Sequence, residues 1–254
     1  MTNRPDPYGS IALVRGLIPG WACYEKFGRN PSIDTTSDPE DIWDQGGVYT
    51  FLSSAASLYV SSSDNSDTNV ITVEGLDANW VAQTATVTLT GQTQAEITGV
   101  TWIRVFRAYS ATDTAGDVYI AETDTLTAGV PDTASKIKAK FEIARQQTEM
   151  SIYTVPAGKT GYVYQWSGSI LKSSAATSVD LVIMKREFGG SLRDVMPWGL
   201  STTGTSSFAY AWGSPECPQP KVMPAKTDIL IRANEVGANG TQVTAGFDIK
   251  LRDD

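Results

Sequence analysis

The 254-residue chain contains no histidine. This absence excludes Ser-His-Asp and Cys-His nucleophile systems and the usual zinc sites, and it removes the side chain best suited to proton transfer near neutral pH. Glycine patterns of the Walker type or the dinucleotide-binding type are missing as well, so nothing supports a phosphate-cradling loop. The sequence therefore favours a noncatalytic protein that needs no cofactor.

Cysteines and long apolar runs are also scarce. Cys23 and Cys217 are too distant in sequence to suggest a metal site and too few for a disulfide framework, so we expect free thiols from a reducing cytoplasm. No stretch approaches the roughly 20 apolar residues of a membrane helix. The first ten residues, MTNRPDPYGS, lack the basic and apolar regions of a secretion signal. We expect a protein made in the cytoplasm without a membrane partner.

Basic residues are rare in the middle of the chain, and the net charge of −8 is unevenly distributed. Residues 1–47 contain four basic and seven acidic residues, residues 48–135 two and ten, and residues 136–254 fourteen and eleven. Because such an acidic surface repels phosphate backbones, nucleic acid is not an expected partner. The acidic part is either a solvated surface or an outward face opposite a more basic part that docks on an acidic partner.

Carboxylates are the acids and bases that remain. A glycosidase needs two of them roughly 5 to 10 Å apart. The candidates in the acidic part are Asp77, Asp113, Asp117, Glu122 and Asp124. Most lie in turn contexts, where aspartate caps the backbone, so no catalytic residue is predicted. The segment SSSDNSDTN offers oxygen ligands at Asp64, Asn65 and Asp67 but lacks EF-hand spacing, which favours a polar loop tip over a metal site.

Short segments rich in Val, Ile and Thr, separated by turn clusters, predict an all-β protein with a β-sandwich or jelly-roll-like body. The predicted strands are 49–51, 57–61, 70–73, 85–89, 101–109, 118–122, 150–155, 162–171, 178–186, 208–212, 228–233 and 242–251. Residues 75–77, Gly-Leu-Asp, are predicted to form the turn after the strand at 70–73.

Three further segments carry specific predictions. Residues 102–107 are partly apolar on both faces and predict a central strand. Residues 136–141 alternate charged and apolar side chains, which predicts an edge strand with lysines outward; a short helix is the alternative. Residues 187–200 are predicted to form a long loop. These assignments divide the chain into an N-terminal arm (1–47), an acidic β-rich unit (48–135) and a β-sandwich unit (136–254), with one composite domain over 48–254 as the alternative.

The predicted arm is rich in proline and lacks strand or helix periodicity, so it should be extended and unable to build its own core. It nevertheless carries large apolar side chains that gain about 1.5 to 3 kcal/mol each when buried. We therefore expect it to lie along its own subunit or on a neighbour. The interface candidates are Trp21, Tyr24, Phe27, Ile33, Ile42 and Trp43 in the arm and Phe188, Met196 and Trp198 in the loop. If aromatic rings bind sugar, Trp166, Trp198 and Trp212 are the first candidates, and their exposure decides.

Several segments resemble a recurrent signature of structural proteins in tailed bacteriophages. They are RGLIPGWACYEKFGRNPSID, EDIWDQGGVY, EGLDANW followed by TVTLTGQT, TEMSIYTVPAGKTGYVYQW and KTDILIRANEVGANGTQVTAGFDI. The resemblance implies a noncatalytic virion protein, in first place a capsid decoration or cement protein. Its expected partners are other virion proteins, above all the major capsid protein, and further copies of itself in a homotrimer.

Two alternatives to decoration remain open at this point. The first is a neck, collar or tail-associated protein of the virion, including a fibre. The second belongs to another class, a carbohydrate-binding or carbohydrate-active module that recognises a host glycan.

Overall fold

The computed structural model describes residues 9–172, 176–203, 208–212 and 220–254. Its helical segments are α1 (Gly9–Val14) and a single 3₁₀ turn (Ala134–Lys136). The strands, in chain order, are β1 (Trp21–Ile33), β2 (Glu40–Asp41), β3 (Tyr59–Ser62), β4 (Val70–Asp77), β5 (Ala82–Thr88), β6 (Ala95–Glu96), β7 (Trp102–Ser110), β8 (Val118–Ala121), β9 (Leu126–Thr127), β10 (Val130–Pro131), β11 (Ile137–Phe141), β12 (Ile152–Thr154), β13 (Lys159–Leu171), β14 (Thr177–Arg186), β15 (Arg193–Thr202), β16 (Phe208–Trp212), β17 (Lys221–Met223), β18 (Asp228–Val236) and β19 (Thr241–Asp253). The predicted all-β class is confirmed, with 56% strand and 3% helix. In the described ranges no helix has the length and hydropathy to cross a membrane.

Two five-stranded antiparallel sheets form the larger layer pair. The first sheet has the order β1-β19-β13-β16, with β17 beside β13; the second has the order β12-β18-β14-β15, with β2 beside β18. They pack face to face, since a Cβ on Gly168 of β13 would lie 3.2 Å from the side chains of Leu181 and Leu200 in the second sheet. This arrangement is the sandwich that the sequence predicts.

Two smaller sheets and a short hairpin complete the fold. The third sheet has the order β11-β8-β3-β6, the fourth has the order β5-β4-β7, and β9 pairs with β10. One hydrophobic core runs through all four sheets, from Leu58 and Ile71 to Tyr153 and Ile249. Because β11 pairs with β8, the third sheet crosses the boundary that the sequence places after residue 135.

Strand β7 corrects the prediction of a central strand. Its side chains are buried on both faces, as predicted, but among the named strands it pairs only with β4. Loop segments close its other edge: the N–H of Ala56 donates to the carbonyl of Trp102 (2.8 Å), and the N–H of Thr148 donates to the carbonyl of Ala108 (2.9 Å). Apolar residues on both faces of a strand thus indicate that other layers cover both faces. They do not indicate that the strand has a partner strand at each of its edges.

Strand β11 lies at the edge of the third sheet, so the predicted edge strand is confirmed over the helix. The outward direction of its lysines is wrong at Lys138, which is 2% exposed. The ammonium of Lys138 donates to the carbonyls of Thr50 (3.1 Å) and Ser135 (2.7 Å) and pairs with Glu122 (3.0 Å). These partners come from segments that cover the strand, and they compensate the buried charge.

The long loop predicted at 187–200 is wrong from residue 193 onward, because β15 pairs with β14 along its whole length. Pro197 lies inside β15, and proline is tolerated there since β15 is an edge strand. The turn predicted at 75–77 is also misplaced, because β4 continues to Asp77. Gly75 serves a close approach instead: a Cβ at this position would lie 2.1 Å from the carbonyl oxygen of Arg104.

From Trp21 onward, residues 1–47 complete the sandwich rather than lie on it as an extended arm. Strand β1 pairs with β19 along its length, and β2 pairs with β18. The sequence left open whether the arm lies on its own subunit or on a neighbour. The described part of the arm lies on its own subunit. The register of β1 shifts between Asn30 and Ile33, around Pro31, which explains why the sequence shows no strand periodicity here.

Candidate interaction site

The interface candidates of residues 1–47 separate into an exposed and a buried group. Ile33 and Ile42 are completely buried, and Trp43 is 2% exposed, with its indole packed against Tyr49 at 4.9 Å. Their burial in the core of their own subunit excludes them from contacts with a neighbour. Trp21, Tyr24 and Phe27 remain accessible on β1.

These three residues form a surface that we call the β1 margin (Trp21, Tyr24 and Phe27). Strand β1 is the edge of the first sheet, so the side chains of both its faces reach the rim of the sandwich. Tyr24 is 45% and Phe27 43% exposed. Tyr24 stacks on Tyr153 of the second sheet at 5.8 Å, so the edge between the layers is lined by aromatic rings. Exposed aromatic rings at a strand edge are typical anchors of protein interfaces.

A cleft of about 320 Å³ opens beside the β1 margin between the sandwich and β7. Lys26 lines it and is 9% exposed, and its ammonium donates to the carbonyl oxygen of Phe106. Burial lowers the pKa of Lys26 to about 7; the positive charge of Arg107 adds to this effect and Glu74 opposes it. Near neutral pH the cleft therefore contains an amine that is partly uncharged.

The outer face of the first sheet carries a second group of aromatic rings, which sequence reasoning missed. Trp21 stacks on Tyr162 of β13 at 5.8 Å. Beside them, the ammonium of Lys250 lies 4.4 Å from the ring centre of Tyr164 and the guanidinium of Arg252 lies 5.9 Å from that of Tyr162. The alternation of aromatic residues in TGYVYQW was the available signal, because alternate residues of a strand share a face.

The candidates of the predicted loop lie on and before β15. Phe188 is 66% exposed and contacts the ring of Trp80 edge-on, with a centroid distance of 5.5 Å. Met196 and Trp198 are half-buried on β15 and pack against the core. Phe188 is thus the exposed member of this group, and the two β15 residues serve mainly the packing of the second sheet.

The proposed sugar-stacking tryptophans do not form an outward row. Trp166 is 5% exposed, so its burial removes it as a sugar platform. Trp198 is half-buried, and the side chain of Trp212 lies outside the part that the structure describes. The outward aromatic row of the first sheet is formed by Trp21 and Tyr162 instead.

The carboxylates considered for catalysis are engaged in turns and ion pairs. Asp77 accepts hydrogen bonds from the N–H groups of Asn79 (2.8 Å) and Val81 (3.0 Å). The ammonium of Lys136 and the hydrogen bonds from Thr133 lower the pKa of Asp124 to about 2. The other three contact lysine or amide groups: Asp113 contacts Gln146, Asp117 contacts Lys140, and Glu122 contacts Lys138. A lowered pKa is the opposite of what a general acid needs.

The carboxylate oxygen atoms of the polar loop around residue 64 accept hydrogen bonds from backbone N–H groups. Asp64 accepts from the N–H of Ser66 at 2.8 Å, and Asp67 accepts from the N–H groups of Ala115 (2.7 Å) and Gly116 (3.0 Å). Among residues that the structure describes, no group of three His, Cys, Asp or Glu side chains could hold a metal ion. The two carboxylates thus cap backbone N–H groups, Asp64 in its own turn and the buried Asp67 in the segment at residues 115–116.

The comparisons with known proteins yield distant structural likenesses. No family model and no curated protein matches the chain. A family 11 carbohydrate-binding module from Clostridium thermocellum is similar at 10% identity, with 91% of this chain and 89% of that chain covered and a TM-score of 0.23. A structure of infectious bursal disease virus, Gx strain, is similar at 10% identity, with 91% and 76% covered and a TM-score of 0.21. The similar structures thus include a viral protein and a carbohydrate-binding module, and TM-scores this low assign no function.

Proposed function

We propose that the chain is a noncatalytic structural protein of a tailed-phage virion, and within that class a capsid decoration protein. The resemblance of its motifs supports the virion class. In the fold these motifs lie where chain segments meet: EDIWDQGGVY contains the buried Ile42 and Trp43. EGLDANW and YTVPAGKTGY meet at a hydrogen bond from the N–H of Ala157 to the carbonyl of Trp80 (2.9 Å). Such motifs specify a shape, and shape is what a structural protein contributes.

The observation that carries the proposal is the β1 margin. A thirteen-residue edge strand carries exposed aromatic rings on both of its faces. Covering this surface with another protein removes apolar area from water and is therefore favourable. Each ring that becomes buried contributes about 1.5 to 3 kcal/mol. The major capsid protein is the partner that we propose, with self-association into a homotrimer as the arrangement that shields the remaining edges.

The proposal is tested by replacing both exposed rings of the margin. The double variant Tyr24→Ser, Phe27→Ser should lose at least tenfold of its retention on purified particles in co-sedimentation, because two contact rings are missing. Val222→Ser is the matched control, since Val222 is 50% exposed on the same sheet but away from β1. Full retention of the double variant would exclude the margin as the anchor. Light scattering of the free protein tests the homotrimer.

A carbohydrate-binding role is the second candidate, favoured by the outward stack of Trp21 on Tyr162. Flat pairs of aromatic rings on an exposed sheet face can stack on sugar rings. A glycan array with the wild type and with Tyr162→Ala tests this role. Binding that the variant loses supports it, and a blank array with folded wild type removes it.

A further inference from the structure

A second cleft lies near the C-terminal end of β4, beside Asp77. Three turns from distant parts of the chain meet there. Its volume is about 330 Å³, and it lies between the 77–81 turn, the loop after β14 and the 224–227 turn. The lining residues include Trp80, Arg186, Phe188, Lys226 and Asp228. This size suits one sugar ring or a molecule of similar volume.

Two rings and one ammonium form the wall of the cleft. The ring of Trp80 meets that of Phe188 edge-on. The ammonium of Lys226 lies 5.8 Å from the ring centre of Trp80 and 5.0 Å from that of Phe188. Lys226 takes part in none of the ion pairs between described side chains, so the two rings are the partners of its ammonium in this part of the chain. A ligand that enters here meets apolar ring surface and an available cation together.

Next to these rings, the two guanidinium groups of Arg104 and Arg186 share the single carboxylate of Asp228. Asp228 is 2% exposed and accepts hydrogen bonds from both Arg104 (2.6 and 3.0 Å) and Arg186 (3.0 and 2.6 Å). Arg186 uses Nε and Nη2 for Asp228, and its side chain is 32% exposed. Glu187 also lines the cleft, but its carboxylate pairs with Lys185 (2.9 Å) and Arg193 (2.7 Å). The cleft is therefore locally positive in a chain of net charge −8.

The backbone of the cleft is strained at its two central residues. Trp80 has φ of 64° and Lys226 has φ of 62°, in the left-handed region that side chains other than glycine rarely adopt. One turn locks both residues: the N–H of Ala157 donates to the carbonyl of Trp80 (2.9 Å), and the N–H of Lys226 donates to the carbonyl of Val155 (2.8 Å). Strain that the surroundings maintain in this way clusters at ligand sites.

We propose that this cleft binds a carboxylated sugar ring, such as a hexuronic acid. The C–H face of the ring stacks on the exposed ring of Phe188, because Trp80 meets Phe188 edge-on and already carries the Arg104 guanidinium at 4.8 Å. The carboxylate of the sugar pairs with the ammonium of Lys226 and the outer edge of the Arg186 guanidinium. The combination of ring surface and positive charge selects this class, because a neutral sugar uses only the rings and an inorganic anion only the cations. The cleft lies on elements other than the β1 margin, so its ligand does not depend on the virion role.

Calorimetric titration and ligand-observed NMR with glucuronic acid and with glucose test the charge requirement. Glucuronic acid should bind at least tenfold more tightly than glucose. Lys226→Asn should weaken the binding of glucuronic acid at least tenfold while the protein remains folded, because asparagine tolerates a positive φ. Equal binding of the two sugars, or no binding of glucuronic acid and galacturonic acid at millimolar concentration, would overturn the proposal.

Phe188→Ala tests the stacking wall. Because Phe188 is exposed, the substitution should leave the fold intact and abolish detectable binding of the acidic sugar. Phe27→Ala is the matched control, an exposed ring on β1 whose loss should change nothing at this cleft. An acidic peptide that binds more tightly than the acidic sugar would show that the ligand class is wrong.

Discussion

Two buried ion-pair clusters of opposite composition hold the layers of this fold together. In the Asp228 cluster, one carboxylate receives two guanidinium groups, those of Arg104 and Arg186. In the Arg29 cluster, one guanidinium faces three described carboxylates: Glu149 (2.9 Å), Glu142 and Asp44 (3.6 Å). The first has excess positive charge and the second excess negative charge. Carboxylates can take up a proton and guanidinium groups do not release one, so the two clusters should respond differently to pH.

Asp44 shows how the Arg29 cluster manages its excess charge. The side chain is buried, and its Oδ1 has no hydrogen-bond partner among the described residues. Burial raises the pKa of Asp44 to about 8, and the nearby Glu149 and Glu142 add to this effect. The N–H of Glu149, which donates to Asp44 Oδ2 (2.7 Å), and the charge of Arg29 oppose it. At neutral pH the folded protein thus holds a proton that the unfolded chain has released.

The largest effect is expected from Asp228→Asn. It leaves two buried guanidinium groups without a counter-charge and should cost about 3 to 5 kcal/mol of unfolding free energy. Because arginine remains protonated, the loss should be the same at pH 8 and pH 5 in urea denaturation. If the loss of unfolding free energy disappears at pH 5, the unpaired guanidinium groups are not its cause.

Arg29→Met is expected to have a smaller effect, about 2 to 3 kcal/mol at pH 8, because Glu142 and Glu149 are partly solvated. This loss should shrink between pH 8 and pH 5, since Asp44, whose pKa burial raises to about 8, takes up its proton in this range and no longer needs the counter-charge. The same urea series measures it. A loss independent of pH would contradict the contrast between the clusters.

Asp44→Asn tests the buried proton. The folded pKa of Asp44 exceeds its ordinary value of 3.8, so its contribution to stability is present below about pH 4 and is lost as the pH rises towards 8. The variant should flatten this decline and be about 1 to 2 kcal/mol more stable than the wild type at pH 8. Asp132→Asn, at an exposed carboxylate, is the control and should leave the pH profile unchanged.

The smallest effect concerns the strain beside the Asp228 cluster. Lys226→Gly relieves a positive φ and should stabilise the protein by about 0.5 to 1 kcal/mol. The comparison variant is Lys159→Gly, because Lys159 lies in β13 and has no positive φ. Thermal unfolding of both variants measures the difference in their stability. Destabilisation by Lys226→Gly would mean that the ammonium contributes more to folding than the strain costs.

Sequence reasoning identifies the all-β fold well, because β-branched residues and turn clusters report strands directly. The strands at 70–77, 102–110, 159–171 and 241–253 overlap their predicted ranges. Strands β1 and β15 were missed for a shared reason: both are edge strands, and edge strands tolerate Pro31 and Pro197. A rule that treats proline as evidence against a strand therefore fails to detect edge strands.

The candidate sites were less predictable than the fold. The sequence pointed to Trp21, Tyr24, Phe27 and Phe188 through their size, and these residues are accessible in the structure. It also pointed to Ile33, Ile42 and Trp43, because size alone does not distinguish an interface anchor from a core residue. The cleft of Trp80 and Lys226 could not be predicted, since it forms where turns far apart in sequence meet.

Imaging of intact particles at low resolution, with the protein located and its copies counted, tests the central claim most directly. A virion decoration protein should cover the head at a copy number comparable to that of the major capsid protein. A few copies confined to the neck or tail would contradict decoration, and absence of the protein from purified particles would contradict the structural role altogether.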